Sequence, residues 1–334
     1  MLLIDGVAPR RVAILRALQL GDMLCAVPAL RALRAALPTS EITLVGLPWA
    51  SEMKTRFAAY VDRHVPLPGF PGLPEVPAEV RRLPAFLSDL QEARFDLAIQ
   101  LHGSGRITNV LIALFGATRS AGFFEAGGYC PDPQTYLPYP DRGSEVGRLL
   151  ALTSFLGADA CSTDLEFPVT PRDRSELASL EAVKRLGARE YVCLHPGGRA
   201  DSRRWPAERF ATIGGELGRR GFPVVVTGTA AERPLVRQVM DAAGAPMIDL
   251  SGQTSLGALA ALLESATLLV SNDTGVSHVA AALGTRSVVV CVGSDPERWA
   301  PLDADRHRLV CPSGTTDDQD QAVLAAVDAS LTSR

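Results

Sequence analysis

Four short segments collect side chains and glycines that can handle an anionic ligand and a proton. In Gln19-Leu20-Gly21-Asp22 a glycine permits a tight turn, and a carboxylate follows at the start of a helical pattern. Asp22 either caps that helix by accepting a backbone N–H or presents its carboxylate to a ligand cleft. In His195-Pro196-Gly197-Gly198-Arg199, followed by Arg203-Arg204-Trp205-Pro206, two glycines let the backbone approach a ligand. The three arginines offer forked, charge-assisted hydrogen bonds to a diphosphate, with a solvated basic loop as the alternative. In Asn272-Asp273-Thr274-Gly275, with His278 one turn further on, a helix opens behind a glycine. Its free N–H groups and positive dipole end suit an anion. Asp273 there orients a hydroxyl, a loop N–H or a neighbouring arginine, and His278 either shares the site or packs as a structural histidine. In Gly228-Thr229-Ala230-Ala231-Glu232, Glu232 is either an acceptor for ribose hydroxyls or an ordinary first-turn acid.

Each segment follows a short apolar run and precedes a helical pattern, so the elements must be βαβ units. Arg11–Arg16, Glu41–Gly46 and Asp96–Leu101 read as strands of a first parallel sheet. Leu24, Val27, Leu30, Leu33 and Leu37 mark a helix that Pro28 should kink or delay. Six prolines from Pro66 to Pro84 inclusive predict a long loop, with a helix over about Ala78–Ala93. A less regular stretch through Tyr139 precedes a helix at Gly143–Leu156. Around Ser162–Arg172, Pro168 and Pro171 bracket an extended link, and the alternation restarts with a helix at Ser175–Leu186. Strands at Tyr191–Leu194, Pro223–Thr227, Thr267–Ser271 and Arg286–Val290 follow, with helices at Pro206–Arg220, Ala231–Ala242 and from Gly275. The expected architecture is α/β: two Rossmann-like, doubly wound parallel-sheet domains, 1–168 and 169–334, facing a central cleft. Ligands should bind at the carboxyl ends of the strands.

Composition narrows the function classes. The 334 residues carry a net charge of -4, against a dedicated nucleic-acid binder. No run approaches the roughly 20 apolar residues of a membrane span, and Met1–Arg11 resembles no signal peptide, so a cytoplasmic address is expected. The six cysteines are scattered without metal-ligand spacing and read as reduced, mostly buried small hydrophobes, with neither a structural metal nor a disulfide expected. Only Lys54 and Lys184 are lysines, so the positive charge is nearly all arginine. Neither a P-loop nor a Gly-x-Gly-x-x-Gly fingerprint occurs, which disfavours an NAD-dependent dehydrogenase.

The ordered set of motifs resembles glycosyltransferase family 9, whose best-known members are the ADP-heptose:lipopolysaccharide heptosyltransferases. The matching residues are Ile14-Leu15-Arg16, Leu20-Gly21-Asp22 with Pro28-Ala29-Leu30-Arg31, and His195–Gly198 with Arg203-Arg204-Trp205-Pro206. Asp249-Leu250-Ser251-Gly252 with Ser255-Leu256, Asn272–Gly275 with His278 and Ala280-Ala281-Ala282, and Pro296 with Trp299-Ala300-Pro301 complete it. The resemblance spans residues 11–301.

It implies a GT-B fold with an N-terminal acceptor domain and a C-terminal domain for the nucleotide sugar. By it, Asp22 is the base that deprotonates the acceptor hydroxyl for inverting attack on the anomeric carbon. Arg203 stands where the family usually has a lysine that stabilises the departing diphosphate. Gly197, Gly198, Thr274, Gly275 and His278 match diphosphate-contacting positions, with Asp273 beside them, so no metal ion is required; Arg199 and Glu232 join them as donor contacts. His102, Ser104, Arg106 and Asn109, after a strand end facing the same cleft, are the acceptor candidates. The implied partners are a nucleotide-sugar donor, ADP-heptose or a relative, and a lipid-anchored glycan at the inner membrane face. There the proline-rich loop with Leu67, Phe70 and Leu73 either touches the membrane or is a plain solvent loop. Competing readings are a GT-B sugar-nucleotide epimerase or hydrolase, for which no further Glu/His set is evident, and a non-catalytic nucleotide-sugar binder. Such a binder has no need of Asp22.

Overall fold

A computed structural model describes residues 7–184, 186–188 and 190–332 of the chain. The N-terminal residues 1–6, read above for a leader, and Arg185, in the expected Ser175–Leu186 helix, lie outside the described residues. The chain divides into two compact units, Met1–Asp164 and Leu165–Arg334.

The first unit holds strands β1 (Arg11–Leu15), β2 (Glu41–Gly46), β3 (Arg63–Pro66), β4 (Leu97–Gln100), β5 (Arg119–Phe124) and β6 (Tyr136–Pro138) in one sheet. Their order is β3-β2-β1-β4-β5-β6, and every pair is parallel. The second unit holds β7 (Val192–His195), β8 (Val224–Val226), β9 (Ile248–Asp249), β10 (Leu268–Asn272), β11 (Ser287–Val290) and β12 (His307–Val310). Its order, β12-β11-β10-β7-β8-β9, repeats the same topology, again all parallel. Helices cover both faces, so the central strands carry unbroken apolar runs rather than alternation. Val12, Ala13, Ile14 and Leu15 of β1 are all fully buried, as are Leu268, Leu269 and Val270 of β10. These are two Rossmann-like domains, the architecture of the GT-B fold. In each, strand order reverses beside the first strand: between β1 and β4, and between β7 and β10. Loops on either side of such a point leave on opposite faces and open a crevice for ligands.

Several local expectations are corrected. The helix after β1 is two helices, Leu20–Cys25 and Val27–Ala36, and Pro28 lies in the first turn of the second, where its missing N–H costs nothing. Pro171 likewise starts a helix, Pro171–Ser179, rather than ending an extended link, because Thr170 and Asp173 form a capping box around it. The irregular stretch before Tyr139 contains β5 and β6. Within the proline-rich loop, Leu67 is buried in the first unit's core, and Phe70 and Leu73 are half-buried and pack against that core. Of the six cysteines, all free, only Cys25, Cys193 and Cys291 are buried; Cys130 is intermediate, and Cys161 and Cys311 are exposed.

His307 on β12 is buried with Nδ1 2.9 Å from Ser287 Oγ on β11. Burial pushes its pKa down to about 4, against an opposing pull from Asp303 and with help from Arg306 and His278. The folded state therefore keeps His307 neutral while the unfolded chain protonates it near pH 6.5, and stability is lost as pH falls from about 6.5 towards 4. Urea unfolding across that window should show a loss of about 3 kcal/mol from this residue. His307→Gln, which retains a partner for Ser287, should flatten the loss.

Candidate active site and nucleotide site

At the reversal point of the first unit, Arg16 follows β1 and is fully buried. Its Nε and Nη2 donate to the Asp22 carbonyl at 3.0 and 2.6 Å, Nη1 donates to the Leu101 carbonyl beyond β4, and Nη2 meets Glu145 Oε1 at 3.1 Å. One guanidinium thus ties together the ends of β1 and β4, the first turn of the Leu20–Cys25 helix, and the helix Glu145–Phe155. Glu145 makes this planar fork possible inside the protein, because a buried cation needs a buried counter-charge. Asp22 is held by its backbone, so its half-exposed side chain takes no part in the fixing. The helix is capped by Gln19 without a side-chain bond, which removes the N-cap reading of Asp22.

The four residues expected to meet an acceptor surround the end of β4, and the structure divides their roles. His102 is buried; its Nδ1 accepts the N–H of Ala17 at 3.2 Å, and Nε2 lies 3.5 Å from Glu75 Oε1 of the proline-rich loop. Asn109 Nδ2 donates to the Phe123 carbonyl at 2.8 Å. A Cβ on Gly105, which sits at φ +87°, would lie 2.2 Å from that same carbonyl and 2.4 Å from Asn109 Nδ2. His102 and Asn109 therefore hold the turn in shape. Ser104, half-buried, donates to Glu125 Oε1 at 3.0 Å, and Arg106 is exposed with no side-chain partner among the described residues.

In the second unit the corresponding junction is held by Asn272 at the end of β10. Its Nδ2 donates to the carbonyls of Pro196 and Gly197 at 2.8 and 3.2 Å, and its Oδ1 accepts the N–H of Trp205 at 2.9 Å. A buried carboxamide thereby fixes both ends of the loop after β7. The motif around Asn272 assigns this residue no role of its own in sequence, although a carboxamide at the end of an apolar strand is a legible signal for one. Trp205 is buried, edge-on to Phe210 at 5.4 Å, with its indole N–H 3.3 Å from Gln319 Oε1.

Glu232 accepts the N–H of Gly198 at 2.9 Å and the N–H and hydroxyl of Thr229 at 2.7 and 2.9 Å. Burial pushes its pKa up, but the Thr229 donors, the His195 interaction and the Gly198 N–H outweigh it and hold the carboxyl below its usual range. It is the first-turn acid of a capping box and also a clamp on the neighbouring loop. A Cβ on Gly197 would stand 2.3 Å from Glu232 Oε1, so this glycine makes room for Glu232. Gly198 is open, its nearest neighbour being Arg204 Cγ at 3.7 Å. His195 is kept neutral by burial, against the pull of Glu232. The Thr227 hydroxyl donates to Leu194, so the tautomer assigned from these partners has His195 Nδ1–H donating to Thr227 Oγ1 at 2.9 Å.

The three loop arginines separate. Arg204 Nε donates to the Gly198 carbonyl at 2.7 Å, and its Nη1 pairs with Asp201 at 2.6 Å. Arg199 is exposed. Arg203, on the single turn Asp201–Arg203, is exposed with no side-chain partner among the described residues. Beside Asn272, the helix Gly275–Leu283 starts from Thr274, whose side chain does not cap it. The Thr274 carbonyl accepts both the N–H and the hydroxyl of Ser277, at 2.9 and 2.7 Å, and the N–H groups of Gly275 and Val276 have no acceptor within the helix. Asp273, half-buried, bonds through its N–H to Val290, and His278 is buried with Trp299 edge-on at 6.4 Å. Free N–H groups, an open glycine and an exposed cation on one strand-end edge can receive a diphosphate. Among the described residues no group of three or more His, Cys, Asp or Glu is placed to hold a metal ion, and no helix is long and apolar enough to cross a membrane.

Two substitutions test this framework. Arg16→Met removes the buried counter-charge of Glu145 and should cost about 3–5 kcal/mol in denaturant unfolding, most of it recovered by pairing it with Glu145→Leu. Asn272→Leu keeps the branching and heavy-atom count and leaves two carbonyls and one N–H unsatisfied, for an expected loss of about 2–4 kcal/mol in the same assay.

The family model for glycosyltransferase family 9 (heptosyltransferase) matches residues 84–322. Lipopolysaccharide heptosyltransferase 2 of Salmonella typhimurium (strain LT2) is 26% identical over 301 residues, covering 84% of this chain and 82% of the relative. Lipooligosaccharide heptosyltransferase 2 of Haemophilus influenzae (strain Rd) is 26% identical over 130 residues, a match that spans only 37% of either chain. Among solved structures, E. coli ADP-heptose lps heptosyltransferase II superposes with a TM-score of 0.75 at 21% identity, covering 96% of this chain and 98% of that one. With a family match over most of its length and two parallel α/β units of this topology, the chain belongs to glycosyltransferase family 9 and is a GT-B glycosyltransferase that uses a nucleotide-sugar donor.

Proposed function

We propose that the protein transfers a heptose or closely related sugar from an ADP-sugar to a lipopolysaccharide core or another surface-glycan acceptor, with inversion at the anomeric carbon. The observation that carries this reading is Asp22: its backbone is fixed by a buried Arg16–Glu145 pair, while its carboxylate is left half-exposed and unused in capping. A protein that only bound the donor would have no use for a carboxylate held in this way. The relatives, heptosyltransferases in each case, support the choice of sugar.

In the proposed reaction Asp22 takes the proton of the acceptor hydroxyl as its oxygen bonds to the anomeric carbon. The bond from that carbon to the diphosphate breaks, and the departing charge falls on Arg203 and on the N–H groups at Gly275 and Val276. Gly198 gives the diphosphate close access to the backbone. Glu232 through Oε1, which accepts only the Gly198 N–H, and Asp273 would meet hydroxyls of the donor. Thr274 and His278 line the same end of the sheet, Arg199 lies on the loop above it, and Ser104 and Arg106 would meet the acceptor over His102 and Asn109.

The test begins with thermal shifts against ADP, GDP, UDP, CDP and NAD, where selective stabilisation by ADP is expected. Transfer from ADP-heptose to a lipopolysaccharide-core acceptor should then fall by at least about a hundredfold in Asp22→Asn, with ADP binding within about twofold of the parent. Arg203→Ala should weaken both transfer and ADP binding. Normal turnover by Asp22→Asn would overturn the mechanism, and stabilisation by UDP or GDP alone would discard the heptose donor.

A further inference from the structure

Strands β11 and β12 end side by side on two cysteines. Val290 and Val310 are partners in the parallel register, and the next residues are Cys291 and Cys311, joined through the N–H of Cys291 to the Val310 carbonyl at 2.8 Å. Opposed residues on neighbouring strands lie about 4.8 Å apart, within the roughly 4.4–6.8 Å between Cα atoms that a disulfide spans. Val290 and Val310 face the apolar core of this unit, so alternation turns both cysteines to the other face. Burial raises the Cys311 thiol above its usual range, and the neighbouring Cys291 and then Asp273 add to the effect. The two thiols differ in access, Cys291 being buried and Cys311 exposed.

The pair also abuts the nucleotide end of the sheet. Asp273 bonds through its N–H to Val290, the residue before Cys291, at 3.0 Å. Cys291 Sγ lies 3.1 Å from Ser294 Oγ and 3.5 Å from the Ser294 carbonyl, at the root of the segment whose helix Pro296–Trp299 carries Trp299 against His278.

We propose that Cys291 and Cys311 are a redox modification site: a hydroperoxide converts the vicinal thiols to a disulfide, and the oxidised pair weakens nucleoside-diphosphate binding at the adjoining loops. The effect on binding rests on the donor-site reading above; the disulfide does not. The exposed Cys311 sulfur, as thiolate, attacks the peroxide, breaking its O–O bond to give a sulfenic acid and one water. Cys291 sulfur then attacks that sulfur, and the hydroxyl leaves with the Cys291 proton as a second water. Two sulfurs are each oxidised by one electron, and the peroxide is reduced by two. A dithiol reverses the step. Cys311 is mostly protonated at neutral pH, so oxidation speeds up as pH rises towards its pKa. Bridging removes the Cys291 S–H and with it the bond to the Ser294 carbonyl, releasing the root of the segment that positions Trp299 beside His278.

The full chain is titrated with hydrogen peroxide, then analysed by peptide mapping and by ADP calorimetry before and after dithiothreitol. A Cys291–Cys311 linked peptide that has lost two hydrogens is expected, with ADP affinity lowered about fivefold or more and restored by reduction. Cys311→Ser, at an exposed position, should form no link and keep its ADP affinity under peroxide. Accumulation of Cys311 sulfinic acid beside a reduced Cys291, pairing of Cys311 with exposed Cys161, or unchanged ADP affinity in the linked protein would each overturn the proposal. Failure of the reduced protein to bind ADP would instead refute the donor site, and the peptide map would still decide the disulfide.

Discussion

A doubly wound sheet has one weak place. Where the strand order reverses, the two central strands send their following loops to opposite faces, and the backbone groups at their ends lose regular partners. Buried N–H and C=O groups must be paired, so each unit needs a polar side chain inside that junction. The first unit uses Arg16, whose fork reaches the carbonyls of Asp22 and Leu101 and is neutralised by Glu145. The second uses Asn272, whose carboxamide joins Pro196, Gly197 and Trp205. The two solutions differ in charge because they differ in reach: Arg16 ties three elements to a distant helix, whereas Asn272 closes one loop onto its own strand end.

This constraint separates the side chains that build the site from those free to do chemistry. Asp22 is fixed through its carbonyl, which leaves the carboxylate available. Arg204 is bound to the Gly198 carbonyl and Asp201, while its neighbour Arg203 extends into solvent. Glu232 is committed to Gly198 and Thr229, and Gly197 exists to admit it. His102 and Asn109 brace the turn after β4, so in that turn the accessible polar groups are Ser104 and Arg106. Rigid backbone with unbound functional groups is the arrangement that catalysis by positioning and electrostatics requires, because little reorganisation remains to be done when charge develops.

Much of this was legible beforehand, and the limits are physical. The parallel strands β1, β2, β4, β7, β8, β10 and β11 announce themselves as apolar runs between helical patterns, because burial on both faces forbids polar interruptions. β3, β6 and β9 do not: they are short edge or near-edge strands whose pairing, not their composition, makes them strands. Pro28 divides the helical pattern by sitting in the first turn of the Val27–Ala36 helix, and Pro171 opens a helix instead of bracketing a link, because a proline's role depends on whether the residues before it can cap a first turn.

The sequence by itself determined the two-domain α/β class, the strand-end turns in which polar residues gather, and the family, since these depend on local pattern and on the order of motifs along the chain. Tertiary structure alone decided which of those residues act as scaffold. Whether Glu232 faces a ligand or a loop, whether Gly197 yields space to a nucleotide or to a carboxylate, and that Cys291 meets Cys311 all depend on contacts between residues far apart in the chain. Such contacts are set by strand register and by the need to satisfy every buried polar group, neither of which is written in any single segment.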